Sequence, residues 1–126
     1  MDGTFDLNEL DAAIPPVQEH LSQPSVVSLE NSHNFCNGRV LRQDYIDKIA
    51  DICKRYKLRM HLDGARILNA SIFLKKDPKD MVKPFSTISF CMSKGLGCPV
   101  GSLVVGSKED IEHARIIRKM IGGGMR

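Results

Sequence analysis

LRMHLDGAR, residues 58–66, is the stretch of sequence that decides the fold. Residues 58–62 are predicted to form a β-strand that ends at Asp63-Gly64, and residues 65–74 can form a helix. Alternation of side chains along the strand places Leu62 on one face and His61 and Asp63 on the other. A strand that passes through a short polar turn into a helix is typical of α/β proteins.

The rest of the chain repeats this pattern of strand and helix. Residues 11–24 are rich in proline and are predicted to be a connector. Ser107 and Asp110 occupy the positions of a capping box at the start of the last helix. Further strands are predicted at residues 25–29, 87–92 and 101–105, and further helices at 6–13, 44–57 and after Ser107. The predicted buried stripe of the last helix consists of Ile111, Ala114, Ile117 and Ile121. The pattern predicts an α/β layer with a mostly parallel sheet flanked by helices.

Composition narrows the class of protein. The chain has 126 residues, of which 42% are hydrophobic and 26% charged, which suggests a single domain with a core. A formal net charge of +3 at pH 7 argues for neither nucleic acid nor a membrane as a partner. No apolar run reaches the roughly 18 residues that a membrane-spanning helix needs. The four cysteines lack metal-binding spacing, so we expect no metal and a cytoplasmic, reducing environment.

Polar or ionisable residues follow three of the predicted strands. They are residues 30–33, residues 63–66 and Ser93-Lys94. In open α/β sheets, ligands bind beyond the carboxyl ends of the strands. The sequence therefore predicts an active site at this edge of the sheet.

Lys94 is the first candidate for covalent chemistry. It follows an apolar strand and precedes Gly95-Leu96-Gly97. A lysine that loses hydration at the end of a strand is more easily kept neutral and nucleophilic, as an imine with an aldehyde cofactor requires. Glycines allow a sharp turn and the approach of a bulky ligand. The alternative is a surface lysine in a glycine-rich turn.

Asp63 and Arg66 form the second candidate group. A carboxylate at a strand end can pair with a protonated ring nitrogen and so make that ring an electron sink. Arg66 could bind a carboxylate through two hydrogen bonds. The alternative is that Asp63 is the N-cap of the following helix.

Two histidines and a basic cluster complete the candidates. His33 follows a strand end and His20 lies in the proline-rich connector, and either could act as an acid or base near neutral pH. Loop histidines also occur without any catalytic role. The basic residues Arg115, Arg118, Lys119 and Arg126 could bind a phosphate or could form a solvated surface.

Four blocks of sequence, in this order, resemble the threonine aldolases of the β-eliminating lyase group. The blocks are SLENSHN (28–34), HLDGAR (61–66), SKGLGCPVGS (93–102) and RKMIGGGMR (118–126). The resemblance extends along essentially the whole chain. It implies the aspartate-aminotransferase-like architecture, called fold type I, and implies that residues 1–126 are a fragment of the large domain that binds pyridoxal 5'-phosphate.

The resemblance implies a role for each matching residue. Lys94 is expected to bind the cofactor's aldehyde covalently, and Asp63 to keep the pyridine nitrogen protonated. Arg66 is expected to bind the substrate carboxylate or the edge of the cofactor. His20 matches a histidine that faces the substrate side chain, and His33 matches a residue that lines the site.

The resemblance also implies a reaction and an assembly. Lys119 and Arg126 match basic residues near the cofactor phosphate, in the same or a neighbouring subunit of a homo-oligomeric dimer or tetramer. The implied reaction cleaves threonine or allo-threonine to glycine and acetaldehyde, as a step of threonine catabolism and glycine formation. Compared with the family, the upstream segment that binds the phosphate and the C-terminal small domain are absent from this sequence.

Two other functions stay open at this level. One is a different fold type I reaction on a small amino acid, such as serine hydroxymethyl transfer or β-elimination. The other is a truncated fragment without catalytic activity.

Overall fold

The computed structural model describes residues 2–124, so Arg126 lies outside the described residues. Four strands in this range form one sheet in the order β1-β2-β3-β4. The strands are β1 (Val26–Glu30), β2 (Arg59–Asp63), β3 (Thr87–Cys91) and β4 (Ser102–Gly106). β1, β2 and β3 are parallel to one another and β4 is antiparallel to β3. The predicted α/β class with a mostly parallel sheet is confirmed.

The described residues form five helices beside the sheet. They are α1 (Leu7–Ala12), α2 (Gln43–Arg55), α3 (Ile67–Leu74), α4 (Pro78–Met81) and α5 (Lys108–Met120), with a 3-10 turn at Asn34–Cys36. The predicted elements are confirmed with boundaries shifted by one or two residues.

The short helix α4 was not predicted from the sequence, although a signal for it was present. Asp77 is its N-cap, and Asp77 Oδ1 accepts a hydrogen bond of 2.8 Å from the backbone N–H of Lys79. Pro78 follows in the first helical turn, where its fixed φ suits the helix. The pair Asp77-Pro78 was therefore a readable helix start, and Met81 of this helix is buried in the core.

The core lies between one face of the sheet and the helices α1 to α4. The strands contribute Val27, Leu29, Met60, Leu62 and Ile88 to it. The predicted amphipathic helix is confirmed as α2, which buries Ile46, Ile49, Ile52 and Cys53. Because alternate strand residues point to opposite faces, this packing directs His61 and Asp63 to the other side of the sheet.

The other face of the sheet is polar. His61 on β2 pairs in register with Thr87 on β3, and His61 Nδ1 lies 2.8 Å from Thr87 Oγ1. Asp63 pairs with Glu30 on one side and with Ser89 on the other. The helix α5 is tied to this sheet by Asp110, whose Oδ2 lies 2.7 Å from an Arg59 guanidinium nitrogen.

The prediction that α5 carries a buried apolar stripe is wrong. Ile111 and Ala114 are half-buried, whereas Ile117 and Ile121 are exposed. The reason is that α5 packs on β4, which is itself exposed along its whole length, so no apolar layer within residues 2–124 covers the rest of the stripe. The cap was predicted correctly, since Ser107 Oγ accepts a hydrogen bond of 3.1 Å from the Asp110 N–H.

None of the helices formed by residues 2–124 is both long enough and apolar enough to span a membrane.

Candidate active site

The carboxyl ends of β1, β2 and β3 lie at the same edge of the sheet because these three strands are parallel. β1 ends at Glu30, which pairs with the last residue of β2, Asp63. β3 ends at Cys91, three residues before Lys94. The three groups of polar residues predicted from the sequence therefore lie at one edge.

Asp63 is held by its own turn. Its Oδ1 accepts a hydrogen bond of 3.0 Å from the backbone N–H of Ala65. The N-cap of α3 is Arg66, without a side-chain cap hydrogen bond, so the alternative interpretation of Asp63 as a helix cap is wrong. Asp63 Oδ2 has no hydrogen-bond partner among residues 2–124, and the side chain is exposed. One carboxylate oxygen is thus used for structure and the other is available to a ligand.

Gly64 keeps this turn close to β3. Its N–H donates a hydrogen bond of 2.7 Å to the carbonyl oxygen of Ser89. A Cβ at this position would lie 3.1 Å from that oxygen and 3.2 Å from Ile67 Cβ. A side chain would therefore push the Asp63 turn away from the neighbouring strand.

Lys94 lies in a loop, residues 92–101, that backbone hydrogen bonds close. Met92 N–H donates to Gly101 O at 2.9 Å, and Cys98 N–H donates to Met92 O at 3.1 Å. Within this loop Lys94 begins a tight turn, since Gly97 N–H donates to Lys94 O at 2.9 Å. The expected loss of hydration is wrong for the described chain, because no element covers the loop and Lys94 is exposed.

The Asp63 turn, the start of α3 and the Lys94 turn meet at a small cavity. Its lining includes Gly64, Ala65 and Arg66 from the first two segments, Gly95 and Leu96 from the third, and Cys91 at the end of β3. Lys94 and Asp63 both act on the Cys91 thiol. The pKa of this thiol is lowered mainly by a hydrogen bond with Ser102 and further by Lys94, whereas the Asp63 charge opposes the shift. Cys91 thus lies within electrostatic reach of both predicted cofactor-binding groups, a position that the sequence analysis did not single out.

Arg66 also lines a second, open cleft of about 540 Å³ between α3 and the loop after β1. The loop contributes Ser32 and Arg39, and α3 contributes Asn69 and Phe73. No carboxylate among residues 2–124 forms an ion pair with Arg66. Its guanidinium group is therefore available to an anionic ligand.

His33 lies at the end of β1, next to this edge. Its ring packs on Gly3, where a Cβ would lie 3.0 Å from His33 Cγ. His33 Nδ1 is 3.8 Å from Glu30 Oε2, which is too long for a hydrogen bond but short enough for attraction when the ring is protonated. The buried Asn31 holds this loop, because its Oδ1 accepts a 3.1 Å hydrogen bond from the Leu41 N–H.

His20 and Lys119 lie away from the cavity that Lys94 approaches. His20 is exposed in a turn of the connector and forms no hydrogen bond or ion pair with a side chain of the described residues. Lys119 is exposed in the last turn of α5 and lines neither of the two cavities. Their roles stay predictions, as does that of Arg126.

A mostly parallel sheet with an aspartate, an arginine and a lysine beyond the carboxyl ends of its strands is typical of α/β proteins that bind a ligand at that edge. The chain belongs to the beta-eliminating lyase family, whose model matches residues 1–126.

The chain is similar to several threonine aldolases. Low-specificity L-threonine aldolase 1 of Arabidopsis thaliana is 45% identical over 127 residues, covering 99% of this chain and 36% of the relative. Low specificity L-threonine aldolase of Escherichia coli K12 is 40% identical over 125 residues, covering 99% of this chain and 37% of the relative. The structure of Leishmania major threonine aldolase matches the fold with a TM-score of 0.81 at 22% identity, over 96% of this chain and 36% of the other. The chain thus spans about a third of the length of the curated relatives that it matches.

Proposed function

We propose that the chain is part of a pyridoxal-phosphate-dependent aldehyde lyase that cleaves L-threonine or L-allo-threonine to glycine and acetaldehyde. The observation that carries the proposal is the convergence of the Asp63 turn, Arg66 and the Lys94 turn at one edge of the sheet. The similarity to L-threonine aldolases supports the choice of substrate. We place the reaction in cytoplasmic threonine catabolism.

The chemistry of the available groups fits the cofactor. Asp63 spends Oδ1 on its own turn, so Oδ2 can accept a hydrogen bond from a protonated pyridine nitrogen. The exposed Lys94 amine is accessible to an aldehyde. When bound, pyridoxal phosphate supplies a ring that accepts the electrons released as the Cα–Cβ bond breaks.

The other predicted residues act on the substrate or the phosphate. Arg66 binds the substrate carboxylate through its guanidinium group. An imidazole nitrogen of His20, or an ordered water, takes the proton of the β-hydroxyl group, and His33 lines the site. Lys119 and Arg126 bind the cofactor phosphate, and because Lys119 lines neither cavity of its own chain, we assign it to a phosphate held by the neighbouring subunit of a homo-oligomer.

Residues 1–126 are assigned in this proposal to the large domain. The turn that binds the phosphate and the C-terminal small domain are assigned to parts of the full-length relatives that this sequence does not cover. These parts would also cover Lys94 and remove it from water.

The test is a titration of the 126-residue chain with pyridoxal phosphate, followed by visible absorbance, borohydride reduction and mapping of the labelled lysine. We expect a saturable label on Lys94 that disappears in Lys94→Ala and persists in Lys54→Ala, a change at an exposed lysine on α2. Label that is spread over surface lysines without preference for Lys94 would contradict cofactor binding.

A second measurement identifies the reaction. Incubation of the loaded chain with L-threonine is expected to give glycine and acetaldehyde. Pyruvate and ammonia from L-serine, without acetaldehyde from L-threonine, would instead favour β-elimination. One observation, the exposure of Lys94, favours the alternative that the 126-residue chain by itself binds no cofactor. An unchanged thermal midpoint at saturating pyridoxal phosphate would support that alternative.

A further inference from the structure

Gly95 and Asn69 form an unusually close contact between the Lys94 turn and α3. A Cβ built on Gly95 would overlap Asn69 Oδ1, and it would lie 3.0 Å from Asn69 Cγ and 3.3 Å from Asn69 Nδ2. The φ angle of Gly95 is not positive, so the backbone conformation alone does not require glycine. The Asn69 amide is therefore the group that a side chain at position 95 would have to displace.

Gly97, two residues later, shows the opposite situation. Its φ is +70°, and nothing lies within 4 Å of a Cβ built on it. Here the left-handed backbone favours glycine, and no neighbour excludes a methyl group. Glycine is thus favoured at these two positions for different physical reasons, so a substitution at either position is a control for the same substitution at the other.

Asn69 belongs to a firmly held part of α3. Ile67 and Ala70 of this helix are buried in the core. Asn69 is three residues after Arg66, on the same side of the helix, and its N–H donates a 3.0 Å hydrogen bond to Arg66 O. Both residues line both cavities. The Asn69 side chain is exposed, and its amide lies against the turn that begins at Lys94.

We propose that Asn69 is a positioning residue that sets where Lys94 lies relative to Arg66, by bearing on Gly95. The consequence for the cofactor rests on the proposed function, in which Lys94 binds the aldehyde and Arg66 the carboxylate. Loss of the amide lets the turn move towards α3, whereas a methyl group on residue 95 pushes the turn away from it. Both changes misplace the Lys94 amine.

The test compares the 126-residue chain with Asn69→Ala, Gly95→Ala and the double variant. The first readout is the concentration of pyridoxal phosphate that half-saturates the borohydride-fixed label on Lys94, with Lys54 as an internal reference. We expect Gly95→Ala to raise this concentration about tenfold when Asn69 is present and less than about threefold in the Asn69→Ala chain. Asn69→Ala alone is expected to raise it about threefold, and labelling of Lys54 is expected to stay constant.

The second readout needs no cofactor. It is the thermal unfolding midpoint of the same four chains. Gly95→Ala is expected to lower this midpoint less in the Asn69→Ala background than in wild type. Gly97→Ala is the matched control. It is expected to lower the midpoint equally in both backgrounds, because no Asn69 atom lies within 4 Å of a Cβ built on Gly97.

The outcomes separate this inference from the proposed function. Absence of any label on wild-type Lys94 would contradict the proposed function, and the cofactor-free midpoints would still decide whether Asn69 and Gly95 are coupled. Equal costs of Gly95→Ala in both backgrounds would overturn the inference. So would unchanged labelling of Lys94 in Asn69→Ala when wild type is labelled.

Discussion

At the scale of single residues, the two carboxylate oxygens of Asp63 have different surroundings. Its Oδ1 accepts a hydrogen bond from the Ala65 N–H, and the side-chain oxygen of Asn can accept the same bond. We therefore expect Asp63→Asn to change the free energy of unfolding by less than about 0.5 kcal/mol. In the proposed function this substitution removes a charge-assisted hydrogen bond to the cofactor worth about 1.5–3 kcal/mol, which would lower the affinity for the cofactor roughly ten- to hundredfold. Titration with pyridoxal phosphate measures this change. Asp51→Asn, at an exposed site on α2, is the control, and equal affinities of the Asp63 variant and wild type would contradict the assignment.

Cys91 permits a prediction that is independent of the cofactor. The pKa of its thiol is lowered, chiefly because the Ser102 hydroxyl lies 3.4 Å from the sulfur and can donate to the thiolate. Alkylation by iodoacetamide should therefore reach half its maximal rate at a lower pH for Cys91 than for the unfolded chain. Ser102→Ala should raise that pH, as mass spectrometry of the alkylated peptide would show.

Cys53 is the internal control for this experiment. Burial raises the pKa of its thiol, so it should react more slowly and at higher pH than Cys91. A Cys91 profile that matches the unfolded chain, or one that Ser102→Ala does not move, would refute the effect of the hydroxyl group.

At the scale of secondary-structure elements, Asp110 connects α5 to the sheet. The pKa of its carboxyl group is lowered from 3.8, first by the hydrogen bond from Arg59 and then by Ser107. The folded chain therefore binds fewer protons at this group than the unfolded chain does. Its stabilising contribution is complete above about pH 4 and is lost as the pH falls through the lower folded value.

This pH dependence can be measured with one variant. Asp110→Asn should lower the thermal midpoint at pH 7, and the difference from wild type should shrink as the pH falls through the lowered folded pKa of Asp110, because protonation removes the charge. Glu112→Gln is the control on the same helix, because Glu112 is exposed and 3.9 Å from Lys108 Nζ. A difference between Asp110→Asn and wild type that persists unchanged at low pH would show that the charge is not responsible.

At the scale of the whole molecule, the described chain exposes apolar surface at one side. The edge strand β4 exposes Leu103, Val104 and Val105, and α5 exposes Ile116 and Met120. An exposed apolar edge strand is a site at which chains associate. We therefore expect the 126-residue chain to self-associate as its concentration rises, with sedimentation velocity as the measurement.

A single charge on the strand tests this expectation. Val104→Lys should reduce association, whereas Val17→Lys should not, since Val17 is 89% exposed in the connector rather than on the edge. Association that is equally strong in both variants would place the contact elsewhere on the molecule.

The sequence by itself determined the elements of this protein and the residues at the ends of its strands. These features could be predicted because they are local: helix and strand periodicity, an N-cap such as Ser107, and polar residues after apolar runs all lie within a few positions of one another. Asp63, Arg66 and Lys94 were found in this way, and parallel strands were enough to bring them to one edge.

Only the tertiary structure decided what surrounds those residues. The exposure of Lys94, the uncovered stripe of α5 and the contact between Asn69 and Gly95 could not be predicted from local patterns. Each depends on whether an element distant in sequence covers a given surface, or on the separation of two atoms 26 positions apart. Periodicity shows that a face can be buried, whereas packing alone determines which partner buries it and how closely a neighbour approaches.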